Sequence, residues 1–212
     1  MLSQIRAAGT LLGIFTLVFG FLYPAFMTVL AGAVFPAEAA GSLVVRDGKP
    51  VGSLLIGQSF TSDAYLHPRP SAAGTGYDAS ASSGTNLAPT SAKLAERLAT
   101  DGAAMKAATG AALLPADSIT TSGSGLDPDV SPAFAEIQVA RIATARGIGA
   151  NAVRRLVADN TAGRTLGLLG EPRVNVLATN LALDALAPVA KPAADPATQP
   201  GAPTASVAPP AG

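Results

Sequence analysis

From Gly9 to Phe35 the chain runs for 27 residues without a charge, inside a longer uncharged interval bounded by Arg6 and Glu38. At ~1.5 Å rise per residue a helix over this run is roughly 40 Å long, more than the ~30 Å of hydrocarbon in a bilayer. Fourteen of its side chains are Leu, Ile, Phe or Val. At roughly −0.3 to −0.6 kcal/mol each they favour insertion by about 4 to 8 kcal/mol, before Gly, Thr and Pro subtract some of it. The expectation is a short N-terminal segment (1–8), a transmembrane helix (9–35) and a domain outside the bilayer. The rival reading is a cleaved secretory signal, because Ala37-Glu38-Ala39 has a small-x-small pattern and Arg6 gives a positive start. Signal cores run ~7 to 15 residues, so the length favours an uncleaved anchor.

Two features qualify the helix. Pro24 cannot donate a backbone hydrogen bond, so a local backbone adjustment or a neighbouring helix must satisfy the freed carbonyl. Gly9, Gly13 and Gly20 recur at spacings of four and seven, which gathers them on one face where another helix can approach closely. Charge does not set the orientation: Arg6 precedes the helix while Arg46 and Lys49 follow it. A cytoplasmic N-terminus is expected because long downstream domains translocate largely regardless of charge.

Residues 41–187 form one expected extracytoplasmic domain, long enough to bury a core. It carries twelve Lys and Arg against twelve Asp and Glu. That balance leaves no footprint for nucleic acid or anionic lipid. The chain has no cysteine and a single histidine, His67. Disulfides, thiolate chemistry and multi-histidine metal sites are therefore excluded, as are Ser-His pairs elsewhere in the chain.

Leu43 to Arg46 and Lys49 to Ile56 flank Asp47-Gly48, the dipeptide of a type I′ hairpin, with Pro50 placing its strand at an edge. From Gly57 to Thr90 there is no sustained period. Phe60, Tyr65, Leu66, Tyr77 and Leu87 are spaced through this stretch, so an ordered, packed loop is expected rather than disorder. Leu94, Leu98 and Met105 mark a helix from Pro89 to Thr109, with Thr90 or Ser91 as cap and Gly110 as stop. Ser118 to Thr121 reads as a strand. Ser131-Pro132 starts a helix running to Gly147, a second short helix follows Asn151, Leu166 to Leu169 reads as a strand, and Asn175 caps a final helix. Residues 188–212 hold seven prolines and eight alanines, a composition expected to be extended or disordered. The fold class is α+β: a single transmembrane helix, one mixed α/β extramembrane domain and a Pro/Ala tail.

No Walker phosphate loop is present. Ser122-Gly123-Ser124-Gly125 could offer backbone N–H groups to an anion, with Asp127 at its edge, or could be a simple turn. Asp127 and Asp129 could hold a cation, or form a turn and compensate a helix dipole. Arg69, stiffened between Pro68 and Pro70, could meet an acidic partner or pair with Asp63 or Asp78 in its own domain. Glu171 and Arg173 are open between an internal ion pair and an interface role. No nucleophile and base pair is evident, so no catalytic residue and no metal ligand is assigned.

Several strings, in this order, carry a resemblance: Leu55-Ile56-Gly57-Gln58-x-Phe60, Arg69-Pro70-Ser71-Ala72, Ser83-Gly84-Thr85-Asn86-Leu87-x-Pro89-Thr90, Thr121 to Pro128, Ile-x-x-Ala-Arg ending at Arg146, and Leu169 to Leu177. Behind a single N-terminal helix, over roughly 1–187, they resemble the C chain of the bacterial potassium-transporting ATPase, the Kdp system. Ala88 stands where glycine is usual, and Ser82-Ser83 where paired glycines are usual. The resemblance implies a non-catalytic subunit in the inner membrane, working with a channel-like potassium-translocating chain, a P-type ATPase chain and a small membrane peptide. It also implies that this chain binds no cofactor firmly, with ATP and potassium handled by the complex. The role implied is assembly, and a catalytic chaperone that raises the ATP affinity of the ATPase chain. The Asp-Lys-Thr-Gly signature of such pumps is absent from this chain. Gln58, Tyr65, Arg69, Ser71, Asn86, Glu171, Arg173 and Asn175 are the expected partner-interface residues, with Gly9, Gly13, Gly20 and Pro24 for helix packing. Two other classes stay open: an independent membrane-anchored periplasmic binding protein, and a secreted enzyme released by signal cleavage.

Overall fold

A computed structural model describes residues 1–189; all but the first two residues of the expected Pro/Ala tail lie outside the described residues. The N-terminal helix is continuous over Leu2–Val34, 33 residues whose most apolar 18-residue stretch has a mean hydropathy of 2.0. It therefore takes in residues 2–8 of the expected N-terminal segment. It comprises α1 (Leu2–Leu17), a π-helical turn (Val18–Leu22) and α2 (Tyr23–Val34). The π turn sits immediately before Pro24, and Tyr23 N–H donates to Val18 O across it. This wider turn relieves the clash a proline ring makes with the carbonyl four residues back, Gly20. Thr10 Oγ1 and Thr28 Oγ1 donate to Arg6 O (2.9 Å) and Pro24 O (2.8 Å), so neither hydroxyl is left bare in an apolar surrounding.

After a short α3 (Pro36–Ala39), β1 (Leu43–Arg46) and β2 (Lys49–Ser53) pair antiparallel. Asp47 (φ 53°) and Gly48 (φ 73°) make the expected I′ turn. A bulge at Val44/Val45 brings Pro50 opposite Val45. The core is built further along, from α5 (Pro132–Glu136), α6 (Val139–Arg146), α7 (Ala150–Asp159) and α8 (Val176–Leu186). These pack on a small antiparallel sheet of order β3-β5-β4 (Asp129–Val130, Arg173–Asn175, Thr161–Ala162). Phe134, Ile142, Val153, Val174 and Leu183 are buried together with Leu66 of the irregular segment. Helix α4 (Ala92–Thr109) packs against this core through Met105, and ends at Gly110 in the left-handed region.

The structure departs from the periodicity in three places. Ser118–Thr121 is no strand: Ala116–Ser118 is a 3₁₀ turn, closed by Ser118 Oγ on Pro115 O and Thr120 Oγ1 on Ala116 O. Leu166–Leu169 is the tip of the β4–β5 connection, with Thr165 bridged to Leu169. The helix expected from Ser131 to Gly147 breaks at Ile137–Gln138. There Gln138 N–H turns to Ala135 O, and its side-chain Nε2 donates instead to the vacated Phe134 O (3.3 Å). The cap residues stand where expected: Ser131 Oγ accepts from Phe134 N–H and Asn175 Oδ1 from Ala178 N–H, both at 3.0 Å. Ser91 is at the N-cap of α4 without a side-chain bond, and α7 begins at Ala150, one residue before Asn151.

Candidate functional site

An irregular segment can cross a core only if its backbone groups find partners there. Side-chain amides supply them here. Asn180 Oδ1 accepts from Leu66 N–H (2.7 Å) while its Nδ2 donates to Leu66 O (3.0 Å). Gln138 repeats this on the next residue, with Oε1 on His67 N–H (2.8 Å) and Nε2 on His67 O (3.1 Å). Each amide stands in for one rung of a strand pairing. Arg146 completes the clamp: its fully buried side chain donates to Ala64 O (2.6 Å), Ala187 O (2.7 Å) and Asp184 Oδ1 (2.9 Å), and lies 4.9 Å from the centre of the Tyr65 ring. Tyr65, expected at an interface, thus helps to seat the segment. Its phenol meets Asp184 at 3.3 Å, and burial, followed by that carboxylate, raises its pKa.

Held this way, the segment lies against the Ser122–Asp127 loop and brings several expected residues together. Ser71 Oγ donates to Gly125 O (2.6 Å) and accepts from Tyr77 N–H (2.9 Å). Ser83 N–H and Ser82 Oγ both reach Ser124 O, at 3.0 and 2.9 Å. Arg69 pairs with Asp127 (2.8 Å), not with Asp63 or Asp78. Asp63 faces Arg141, and Asp78 caps the turn at Ser80. Asp127 Oδ1 accepts from Asp129 N–H (3.1 Å), and Asp129 in turn holds Arg173 (2.8 Å) and Asn175 Nδ2 (3.0 Å). The result is a ladder of alternating charge, Arg69–Asp127, then Asp129–Arg173, along a shallow cavity of about 470 Å³.

This geometry bears on each option left open by the sequence. Both aspartates are bonded to arginines, a pairing that neither the turn and dipole reading nor the cation reading had offered. In the Ser122–Gly125 loop, Gly125 N–H is turned to Ser122 O and Leu126 N–H to Ser124 Oγ. The helix after Ser131 is a five-residue turn, too short to present an N-terminal anion site. Glu171 grips Arg164 through both oxygens (2.9 and 2.7 Å), while Arg173 takes Asp129, so both form internal pairs but not with each other. Gln58 lies on the hairpin edge with Nε2 on Val51 O (3.3 Å), apart from the ladder. Asn86 is exposed at φ 53°. Gly9 and Gly13 have open space around them, and no residue of α1 or α2 is buried by the domain. Gln138, Asn180, Arg146 and Asp184 were missed as site-forming residues. The one sequence signal was Arg146 inside the Ile-x-x-Ala-Arg string, and only through resemblance.

His67 Nε2 lies 2.9 Å from Ser62 O and 3.3 Å from Arg141 Nη1. Burial and, to a smaller extent, the Arg141 charge lower its pKa below the ordinary 6.5, against the Ser62 carbonyl and Asp63. The unfolded chain then takes up a proton before the folded one as pH falls through 6.5, so acidification destabilises the domain until the folded value is passed. Urea unfolding at pH 7.5 and 5.5 should show a larger loss in the native chain than in His67→Gln. Equal losses would remove His67 as the cause. At the alkaline end, burial pushes the Tyr77 phenol up to about 12.

Comparison with known proteins gives a consistent result. A family model described as KdpC: K+-transporting ATPase, c chain, matches residues 5–185. A potassium-transporting ATPase KdpC subunit from Beijerinckia indica is 51% identical over 194 residues, covering 91% of this chain and 98% of the relative. The subunit of that name from Methylorubrum extorquens is 55% identical over 199 residues, covering 88% and 99%. The one from Caulobacter vibrioides is 52% identical over 189 residues, covering 89% and 96%.

Proposed function

This chain belongs to the KdpC family, the c chain of the K+-transporting ATPase, and on that premise we propose that it is a non-catalytic, membrane-anchored subunit of an ATP-driven potassium import complex. It assembles and stabilises that complex in the inner membrane with a channel-like potassium-translocating chain, a P-type ATPase chain and a small membrane peptide. One observation carries the reading: a 33-residue helix, uncharged beyond Arg6, stands free of a domain whose charged ladder is internally paired. A free helix with Gly9, Gly13 and Gly20 on one face suits close packing on another membrane helix. The domain lies on the periplasmic side with the N-terminus in the cytoplasm. Any rise in the ATP affinity of the ATPase chain is then transmitted through the anchor as a coupling between distant sites, rather than by direct contact.

Replacing Gly9 and Gly13 together by Leu is expected to cut co-purification with the other chains about tenfold, because two leucines hold the backbones apart. Unchanged assembly would sink the docking claim. Topology is read separately, because the chain has no cysteine to confuse a label. Glu96→Cys, on the exposed side of α4, should react with a membrane-impermeant thiol reagent in intact cells. Reaction only after permeabilisation would put the domain inside and reopen direct nucleotide contact at Ser122–Asp127.

The alternative of an independent periplasmic binding protein draws on a cavity of about 660 Å³ between the hairpin and α8, lined by Arg46, Tyr65 and Asp184. Arg46 already reaches Asp184 there (3.5 Å), which leaves a ligand little to replace. That reading predicts ligand-dependent stabilisation of the chain without partners.

A further inference from the structure

Past β4 the chain leaves the sheet in a turn that holds three leucines in solvent: Leu166, Leu168 and Leu169 are 88, 80 and 65% exposed. The turn is tied by its own backbone. Thr165 N–H donates to Leu169 O (2.8 Å), Leu169 N–H to Thr165 O (3.0 Å) and Gly167 N–H to Arg164 O (3.0 Å). The Arg164–Glu171 pair closes the base. Leu166 is held at φ 55°, a conformation unfavourable for a branched residue. An unpartnered apolar tip this well fixed is presented rather than merely exposed.

Three occupants are conceivable, and the surroundings choose between them. A lipid surface is recognised by free Lys or Arg, or by Trp and Tyr at the rim. Here Arg164 is closed on Glu171, Arg173 on Asp129, and no aromatic residue occurs from Ala162 to Arg173. A second copy of this chain needs ~800 Å² per partner for a stable contact, whereas three leucines offer a few hundred. A small neutral knob suffices when another contact already holds the partners together, because the second contact then forms at high effective concentration. The anchor supplies that first contact.

We infer that the Thr165–Leu169 turn is a docking finger that enters an apolar, uncharged pocket on the extramembrane part of another chain of the ATPase complex. This rests on the subunit reading above, and the test separates the two. A photo-crosslinking benzoylphenylalanine is placed at Leu168 in the chain co-expressed with the other chains, and a control at exposed Ala158 of α7. The expected result is an adduct between this chain and one other chain of the complex at Leu168 and none at Ala158. Leu168→Asp should also lower the amount of this chain retained in the purified complex by about tenfold, with the unfolding midpoint of the domain unchanged. An adduct of twice this chain's mass, lipid adducts alone, or no adduct in a complex that otherwise purifies intact would each overturn the finger while leaving the subunit reading in place. Failure of the native chain to co-purify would overturn both.

Discussion

Arg146→Met is expected to destabilise the extramembrane domain by about 3 to 5 kcal/mol, the usual loss when one partner of a buried, hydrogen-bonded ion pair is removed. Methionine fills much of the volume but leaves Ala64 O, Ala187 O and one oxygen of Asp184 without their donor. It also removes the cation beside the Tyr65 ring. Arg46 stays in reach of Asp184 at 3.5 Å but is half exposed and cannot take over. Arg146→Lys should recover only a minor part, because one ammonium cannot span three acceptors that a planar guanidinium reaches together. Urea unfolding followed by tyrosine fluorescence measures both variants; a loss below about 1 kcal/mol for Arg146→Met would mean that the clamp does not hold the segment.

The second large effect is expected at Gly125. Its φ is 68°, and a Cβ there would stand 2.6 Å from both Ala73 N and Ser83 O, which are backbone atoms that cannot swing aside. Gly125→Ala combines about 1 to 2 kcal/mol of left-handed strain with an overpacking cost of about 1 to 3 kcal/mol. The seam between the irregular segment and the Ser122–Asp127 loop should open, read as faster proteolysis between residues 71 and 84. Gly123 is the control: a Cβ there meets nothing within 4 Å, so Gly123→Ala should change stability by no more than about 0.5 kcal/mol. Comparable stability losses at both positions would remove the packing account of Gly125.

These two residues mark how far local reasoning reaches. The Asp47-Gly48 turn, the Ser131 and Asn175 caps and the Gly110 and Gly147 helix stops all stand where their chemistry places them. Each depends on atoms within four residues. The failures lie where a distant partner intervenes or a hydroxyl recaptures its own backbone. Gln138 breaks a helix its periodicity would continue, because its side chain serves His67, 71 positions away. Ser118 and Thr120 looked like strand residues and instead close a turn on Pro115 and Ala116. Arg69 has Asp63 and Asp78 as near neighbours in sequence, yet pairs with Asp127, 58 positions off.

By itself the sequence determined the long N-terminal apolar helix, of a length compatible with a membrane anchor, because hydrophobic length is a property of consecutive residues. It likewise determined the hairpin, the main helices and, through strings that occur in order, the family. Only the tertiary structure decided which polar groups are spent inside the domain and which surfaces remain. Pairing of Arg146 with Asp184, of Asn180 with Leu66 and of Arg69 with Asp127 depends on distances across the folded chain that no spacing encodes. The three leucines at 166, 168 and 169 show the same division. In sequence they are a short apolar run suited to a strand; in the fold, a bonded turn turns them outward, because the sheet ends before them at Ala162.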